Sequence, residues 1–518
     1  MKKIIILILF LVLKTSILNA QQAGSLDSTF GLNGMVVTSV GGFDDRIRAI
    51  EIQPDDKIVI GGASSVTGQL DFVIARYLID GTLDSSFGTN GFTITNITNG
   101  TDIISDIALQ NDGKIVVAGD IYNGTIYPDI AIARYNYNGN IDSNFATNGI
   151  SVINLTGLND NVRGIKIAQN GNIYVSGSAN QNAFIISFRQ DGTLNTSFNN
   201  TGILYPIQNV INGFTDITMQ SNNQIIAAGG LSLPLSGADF LLMQFDSSGM
   251  PDSSFGINGV VTTDLGAMDG EGCVSMDIKN NKIVLGGIAG INANQQDYDF
   301  ALASYNLDGS VDSSFNVAGQ VITHISNGRD LLSEIKIQND GKIVATGYTG
   351  GVTDFVIVRY NIDGSLDSTF GVNGIVITDF ASDFDIAYAM AIQNDYKILA
   401  GGTSVVASTY GGFALARYFS GLNVGVIDFK KQPLPLQAYP NPVASYATLS
   451  YSLSKDENIA IILFDMQGKE IKTFIPTQKK IKGAHTEYLY FEETIKPGIY
   501  FLSIENGDRL QSVKIVKE

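Results

Sequence analysis

Between residues 26 and 420, apolar and polar positions alternate in short runs and never settle into a 3.6-residue period. The first set reads RAIEIQ (48–53), KIVIGG (57–62), DFVIARY (71–77) and GFTITNI (91–97). Each run is four to eight residues long, rich in β-branched side chains, and bounded by Pro-Asp-Asp, Asp-Gly or Asn-Gly. That pattern predicts strands joined by tight turns. Helices are not predicted here.

One phrase punctuates the runs. DGTLDSSFGTNG at 80–91 returns as NIDGSLDSTFGVNG at 361–374 and as LDSTFGLNG at 26–34. Its phenylalanine recurs as Phe30, Phe87, Phe145, Phe198, Phe255, Phe315 and Phe370, at spacings of 57, 58, 53, 57, 60 and 55 residues. Such a period marks a repeat architecture. Four strands in each of seven units predict an all-β fold, a seven-bladed β-propeller. The first phrase and GMVVTSV (34–40) precede any RAIEIQ-type run, and the last unit ends at ALARYF (414–419) with no fourth run. The N-terminal strand is therefore expected to complete the seventh blade and remove an open edge. Within each blade the phrase should link the third strand to the fourth, its Asp-Gly forming the turn and its Phe plugging between blades. The wording LDxxFGxxG, QxDGKIVxxG and DFxxARYxxDG resembles the delta-60 repeat family over residues 26–420, which implies a propeller-like fold and no common activity.

After Tyr418 the repeat stops, and KKQPLPLQAYPNPVAS (430–445) forms a connector. ATLSYSL (447–453), NIAIILFDMQGKEI (458–471), EYLYFE (487–492) and GIYFLSIENG (498–507) then predict a small β-sandwich. YPNP at 439–442, LFDMQGKEI, KPGIYFLSIENG and the terminal KIVK resemble the type A C-terminal sorting domain of type IX secretion. The resemblance implies the secretion machinery as a partner and passage across an outer membrane. The N-terminus, two lysines before an apolar run from Ile4 to Leu13 with Ala20 ahead of Gln21, reads as a secretory signal peptide. The expected organisation is a leader at 1–20, a propeller at 26–420, a linker at 421–435 and a sorting domain at 436–518. The mature protein is expected outside the cell or on its surface, reached through the periplasm, with no transmembrane segment once the leader is removed.

Charge narrows the partners. Residues 21–430 carry 18 basic and 40 acidic residues, a balance that repels nucleic acid. A single cysteine, Cys273, excludes a disulfide framework and is expected to be buried. His324, placed in a fourth strand, and His485, in the C-terminal domain, make a Ser-His-Asp triad or a histidine metal site improbable. GGASS at 61–65 is read as ending a strand, a poor phosphate loop. No cofactor is expected, calcium being the one ion the acids leave open. Turns such as NIDGSLD (361–367) echo a calcium loop but lack its twelfth-position Glu and are read as hairpins.

Two recurrences remain. An arginine returns as Arg76, Arg134, Arg189, Arg359 and Arg417, with Gln244 and Ser304 in the other two units, near recurrent aspartates such as Asp84 and Asp367. Repeated ion pairs are the expectation. At the entry to each first strand stand Asp45, Asp102, Asp160, Asn212, Glu271, Asp330 and Asp385. They are expected to ring one channel mouth, either accepting backbone N–H groups of their own blades or holding a cation or basic ligand. The connections that vary, GDIYNGTIYPD, GGLSLPLSGAD and GGIAGINANQQDYD, share the face of the fourth-to-first links. The functional reading is a binding or scaffold module holding a protein or glycan on that face. The alternative is a polysaccharide lyase or hydrolase using acids at the mouth.

Overall fold

A computed structural model describes residues 22–422 and 436–518, apart from 181, 208–212, 221, 234–236, 267–270, 291–296, 351–352, 381–383, 407–409, 454–455, 466–468, 493 and 507–508. The leader at 1–20 and nearly all of the connector at 421–435 lie outside the described residues. Two compact units divide between Leu422 and Asn423.

Among its described residues the first unit contains seven four-stranded antiparallel sheets. In the first sheet, Asp45–Ile52, Ile58–Ser64, Asp71–Tyr77 and Phe92–Thr95 follow one another in chain order. The seventh sheet takes Phe384–Ile392, Ile398–Val406 and Tyr410–Tyr418 from the end of the unit. Its fourth strand is Met35–Thr38 from the beginning, with Met35 opposite Ala416 and Thr38 opposite Phe413. Each apolar core lies between consecutive sheets. Val59, Phe72 and Ile74 pack with Ile104, Val117 and Ala131 of the next sheet. Ile60 and Val73 of the first sheet pack with Leu399 and Leu415 of the last.

The recurring phrase builds the junction between neighbours. Phe87 is fully buried. Its ring lies under Gly139 in the next sheet's turn, where φ is +86° and a Cβ would come within 2.7 Å of the ring. The Gly88 N–H donates to Asn138 O at 2.7 Å across the same junction. Phe30 repeats this under Gly81 and Phe315 under Gly364, so the phrase is repeated because one interface is repeated.

The arginines reinforce it. Arg76 Nε donates to Asp84 Oδ2 at 2.9 Å, and its Nη1 reaches Tyr137 O of the next sheet at 2.6 Å. Arg134–Asp142, Arg359–Asp367 and Arg417–Asp27 make the same pair. Arg189 does not. The position equivalent to Arg76 in Asn182–Phe188 is Ser187, which accepts from Asn195 at 3.1 Å. Arg189 stands two residues further on, binding Leu194 O at 3.0 Å.

The double glycine is a strand feature, not a strand end: Gly61 and Gly62 lie inside Ile58–Ser64. Opposite them the first strand bulges between Ile47 and Ala49. A Cβ on Gly62 would strike Arg46 O, so the bulge needs a residue without one. All seven first strands bulge at this same step.

The second unit has two sheets. One holds Gln437–Tyr439, Tyr446–Leu453 and Gly483–Tyr490, and the other Glu457–Phe464, Glu470–Lys480, Gly498–Asn506 and Arg509–Lys517. Leu449, Tyr451, Ile461, Leu463 and Leu502 meet in one core. Among the described residues no helix is long and apolar enough to cross a membrane.

Candidate functional site

The entry acids stand where first strands begin. Asp45, Asp102, Asp160 and Asp330 each open a strand, Asp385 is the second residue of its own, and all five are fully buried. Asp102 accepts from Ile97 N and Thr98 N, both at 2.9 Å, and from Thr98 Oγ1 at 2.6 Å. Asp160 and Asp330 hold their incoming loops with the same three bonds. Asp45 takes Val40 N and the Ser64 hydroxyl, and Asp385 takes Phe380 N. Burial pushes the Asp45 and Asp102 carboxyls upward. Glu271 opens its strand, and Asn212 lies outside the described residues. These carboxylates tie down loops. Asp102 N also donates to Leu70 O at 2.6 Å, so fourth-to-first and second-to-third connections meet on one face.

Two clusters, each of strand and connection residues, bring potential ligand atoms within 4.8 Å of one another: Asp297, Asp299 and His324, and Asp354, Asp379 and Asp385. His324 lies one residue beyond the fourth strand Gln320–Thr323, its Nδ1 3.0 Å from Asp299 Oδ1. Cys273 is buried, and burial pushes its thiol far above the usual range. The Asp363 carboxylate closes its own turn on Ser365 N and Oγ.

A cavity of about 670 Å³ is lined by the first strands of all seven sheets. In each first strand the extra residue of the bulge lines the cavity: Arg48, Ser105, Arg163, Thr215, Val274, Ser333 and Tyr388. Tyr122, Tyr348 and Asp120 from second strands and their ends join them.

Most of the cavity's carboxylates are engaged by backbone. Asp106 accepts Ile107 N at 2.8 Å and, across the junction, Ile165 N at 2.9 Å. Asp216 does the same for Ile217 N and Met276 N, both at 2.7 Å, and Asp277 for Ile278 N and Ile337 N. Glu334 accepts Met390 N at 2.5 Å and pairs with Lys336. These bonds staple neighbouring first strands to one another. Burial raises Asp106 to about 7 and Asp216 to about 6, against opposing backbone hydrogen bonds.

The guanidiniums differ. Arg48 lies over the Tyr388 ring, 4.2 Å from its centroid, and its buried Nε has no hydrogen-bond partner. Burial depresses its pKa. Sequence periodicity did not single out these residues, because a bulge advances the strand by one and defeats simple alternation.

Family models match two parts of the chain. Residues 53–87, 110–145, 279–315 and 338–370 match the domain of unknown function DUF5122 beta-propeller, and residues 437–518 match the secretion system C-terminal sorting domain. The chain therefore carries propeller repeats of the delta-60 kind and ends in a sorting domain. No curated protein matches its sequence. Among solved structures it is similar to a streptogramin B lyase (12% identity, TM-score 0.45, 74% of this chain and 97% of that one). It is also similar to a Lactobacillus plantarum protein (13%, 0.42, 84% and 99%) and to a Penicillium chrysogenum α-L-arabinanase complexed with arabinobiose (10%, 0.39, 78% and 98%).

Proposed function

We propose that this chain of propeller repeats and a sorting domain is a secreted or surface-displayed binding module, with its ligand held in the central cavity. Seven blades at 26–420, closed by Met35–Thr38, form the scaffold, a leader at 1–20 starts export through the periplasm, and the domain at 436–518 completes it. The pairing of Met35–Thr38 with the last strand of the unit and the core shared by first and last sheets support closure. The sorting domain itself implies export to the surface or medium.

One observation carries the binding reading. Positions that build the blades repeat, whereas those facing the cavity do not: at one structural step the seven sheets present Arg, Ser, Arg, Thr, Val, Ser and Tyr. Blade packing imposes no such set. A cavity of this size, with convergent polar groups, suits a small ligand or the end of a polymer. Glycan and peptide arrays probed with the mature chain test it, and a chain with Ser105 and Ser333 changed to Phe should lose the captured ligand.

The carboxyl of Asp106, raised to about 7, favours a second reading, in which the cavity cleaves or eliminates a polysaccharide. Turnover of an arrayed polymer, abolished by Asp106→Asn, would establish it.

A further inference from the structure

Four arginines in the blade interior each hold an aspartate within 2.9 Å: Arg76, Arg134, Arg359 and Arg417. Arg48 and Arg163 make no ion pair among the described residues. Shortage of acid is not the reason, since the chain has 50 acidic residues against 32 basic. Both guanidiniums face the central cavity. Arg48 is fixed over Tyr388 while its Nε remains unsatisfied, a costly state for a buried donor unless something else takes the bond.

We infer that Arg48 and Arg163 form the anion-recognition site of the cavity and that its ligand is an acidic saccharide, a hydroxylated ring bearing one carboxylate. This rests on the binding reading above and names its ligand class. A guanidinium matches a carboxylate in planar, two-point geometry. Burial raises the Asp120 carboxyl to about 6 while its bond from Val162 N and the nearby charges of Arg163 and Arg48 oppose that shift, so near neutrality the three groups carry a net single positive charge. That balance suits one negative charge. A doubly charged phosphate would exceed that balance and be repelled more strongly than a single carboxylate by Glu51, Asp106, Asp216, Asp277 and Glu334, which Lys166 and Lys336 offset only in part. Other residues supply the rest: Ser105 offers a hydroxyl at the level of the arginines, Thr215 and Ser333, whose hydroxyls donate to Ala228 O and Ala387 O, can still accept, and Tyr348 offers a ring face.

The test is calorimetric titration of the mature chain with three probes: a uronic acid monosaccharide, a tri-uronate, and the same trisaccharide with its carboxyl groups reduced to alcohols. Saturable uronate binding at least tenfold tighter than that of the reduced sugar, falling with added salt, is expected. Arg48→Gln and Arg163→Gln should each weaken it by 10- to 100-fold, with melting temperatures confirming folded protein. Arg46→Gln should not, because Arg46 pairs with Asp44 and does not line the cavity. Monosaccharide binding equal to the trimer identifies a single-ring site, and binding of the trimer alone identifies a polymer end; both support the proposal. Equal affinity for the reduced sugar, unchanged in both arginine variants, overturns the acidic ligand but leaves a cavity binder standing. Failure of the uronates to bind at millimolar concentration overturns it as well, and capture of another ligand, lost in the Ser105/Ser333 variant, would then preserve the broader reading.

Discussion

Arg417 and Asp27 stand 390 residues apart and meet through Arg417 Nε and Nη2 on Asp27 Oδ2, at 2.9 and 2.8 Å. Both side chains are almost wholly buried. The other three Arg–Asp pairs of this kind span eight residues. This one joins the two ends of the propeller unit. Removing Arg417 leaves the buried Asp27 carboxylate with only the more distant Lys397, at 3.3 Å, as a cationic partner, so Arg417→Gln should destabilise the protein by about 2 to 3 kcal/mol. Exposed Arg189→Gln should change stability by no more than about 0.5 kcal/mol. Urea unfolding of the two variants decides it, and equal midpoints would deny the pair its role.

Deleting residues 22–40 removes Asp27, Phe30 and the strand Met35–Thr38 together. The last sheet should then show an unpaired edge, and the protein should aggregate or lose much of its stability. Light scattering and the unfolding midpoint report the result. Indifference to the deletion would mean that the blades form an open array.

Gly119 faces Ile103 O across the bulge of the second sheet, with no space for a Cβ. Gly119→Ala is expected to cost about 2 to 4 kcal/mol through backbone displacement. Gly124→Ala, at a φ of +68° but with nothing near its Cβ, should cost about 1 kcal/mol. A reversed order would refute the steric account.

Stability should peak on the acid side of neutrality. Burial raises Asp106 to about 7 and Asp216 to about 6, so the native chain keeps protons that the unfolded chain releases from about pH 4 upward. Their contribution is full below about pH 4 and is lost as pH rises through those raised values. Asp84 runs the other way: burial would raise it, but bonds from Ser86 and the charge of Arg76 hold it at about 2. Its contribution is present above about pH 4 and is lost as pH falls toward 2. Urea midpoints from pH 3 to 8 should therefore show a maximum near pH 4 to 5, roughly where the two trends cross. Asp106→Asn should flatten the limb between about pH 4 and 7. An unchanged slope in that variant would assign the pH dependence elsewhere.

Export has its own test. Removing residues 436–518 should leave a folded propeller inside the outer membrane, while the full chain reaches the surface or medium. Fractionation with an antibody against the propeller measures both, and equal amounts outside would show that this domain does not direct export.

The sheets were legible because blade-building residues repeat. Phe87 beneath Gly139 and Arg76 on Asp84 recur at fixed distances, and recurrence is what one sequence can display. Arg189 misled because arginine identity was followed where strand register governs, and Ser187 occupies that register. The cavity was not legible for the converse reason. Arg48, Thr215 and Tyr388 share a structural position but no chemistry, and only the bulge opposite the second glycine brings them to one level. Asp102 stands at its strand entry, and the sequence left two roles open there, because the three loop bonds that engage its carboxylate depend on a turn whose shape the letters do not fix.

The order of synthesis runs against the order of pairing. Met35–Thr38 leaves the ribosome among the first residues of the unit, and its partner around Phe413 among the last. At ordinary translation rates of about 5 to 20 residues per second, the early strand waits roughly 20 to 80 s for its neighbour. Throughout that interval no chain yet exists with which it can close, so closure waits until the propeller unit is almost completely made. A holdase that engages this strand would set the clock for the whole molecule.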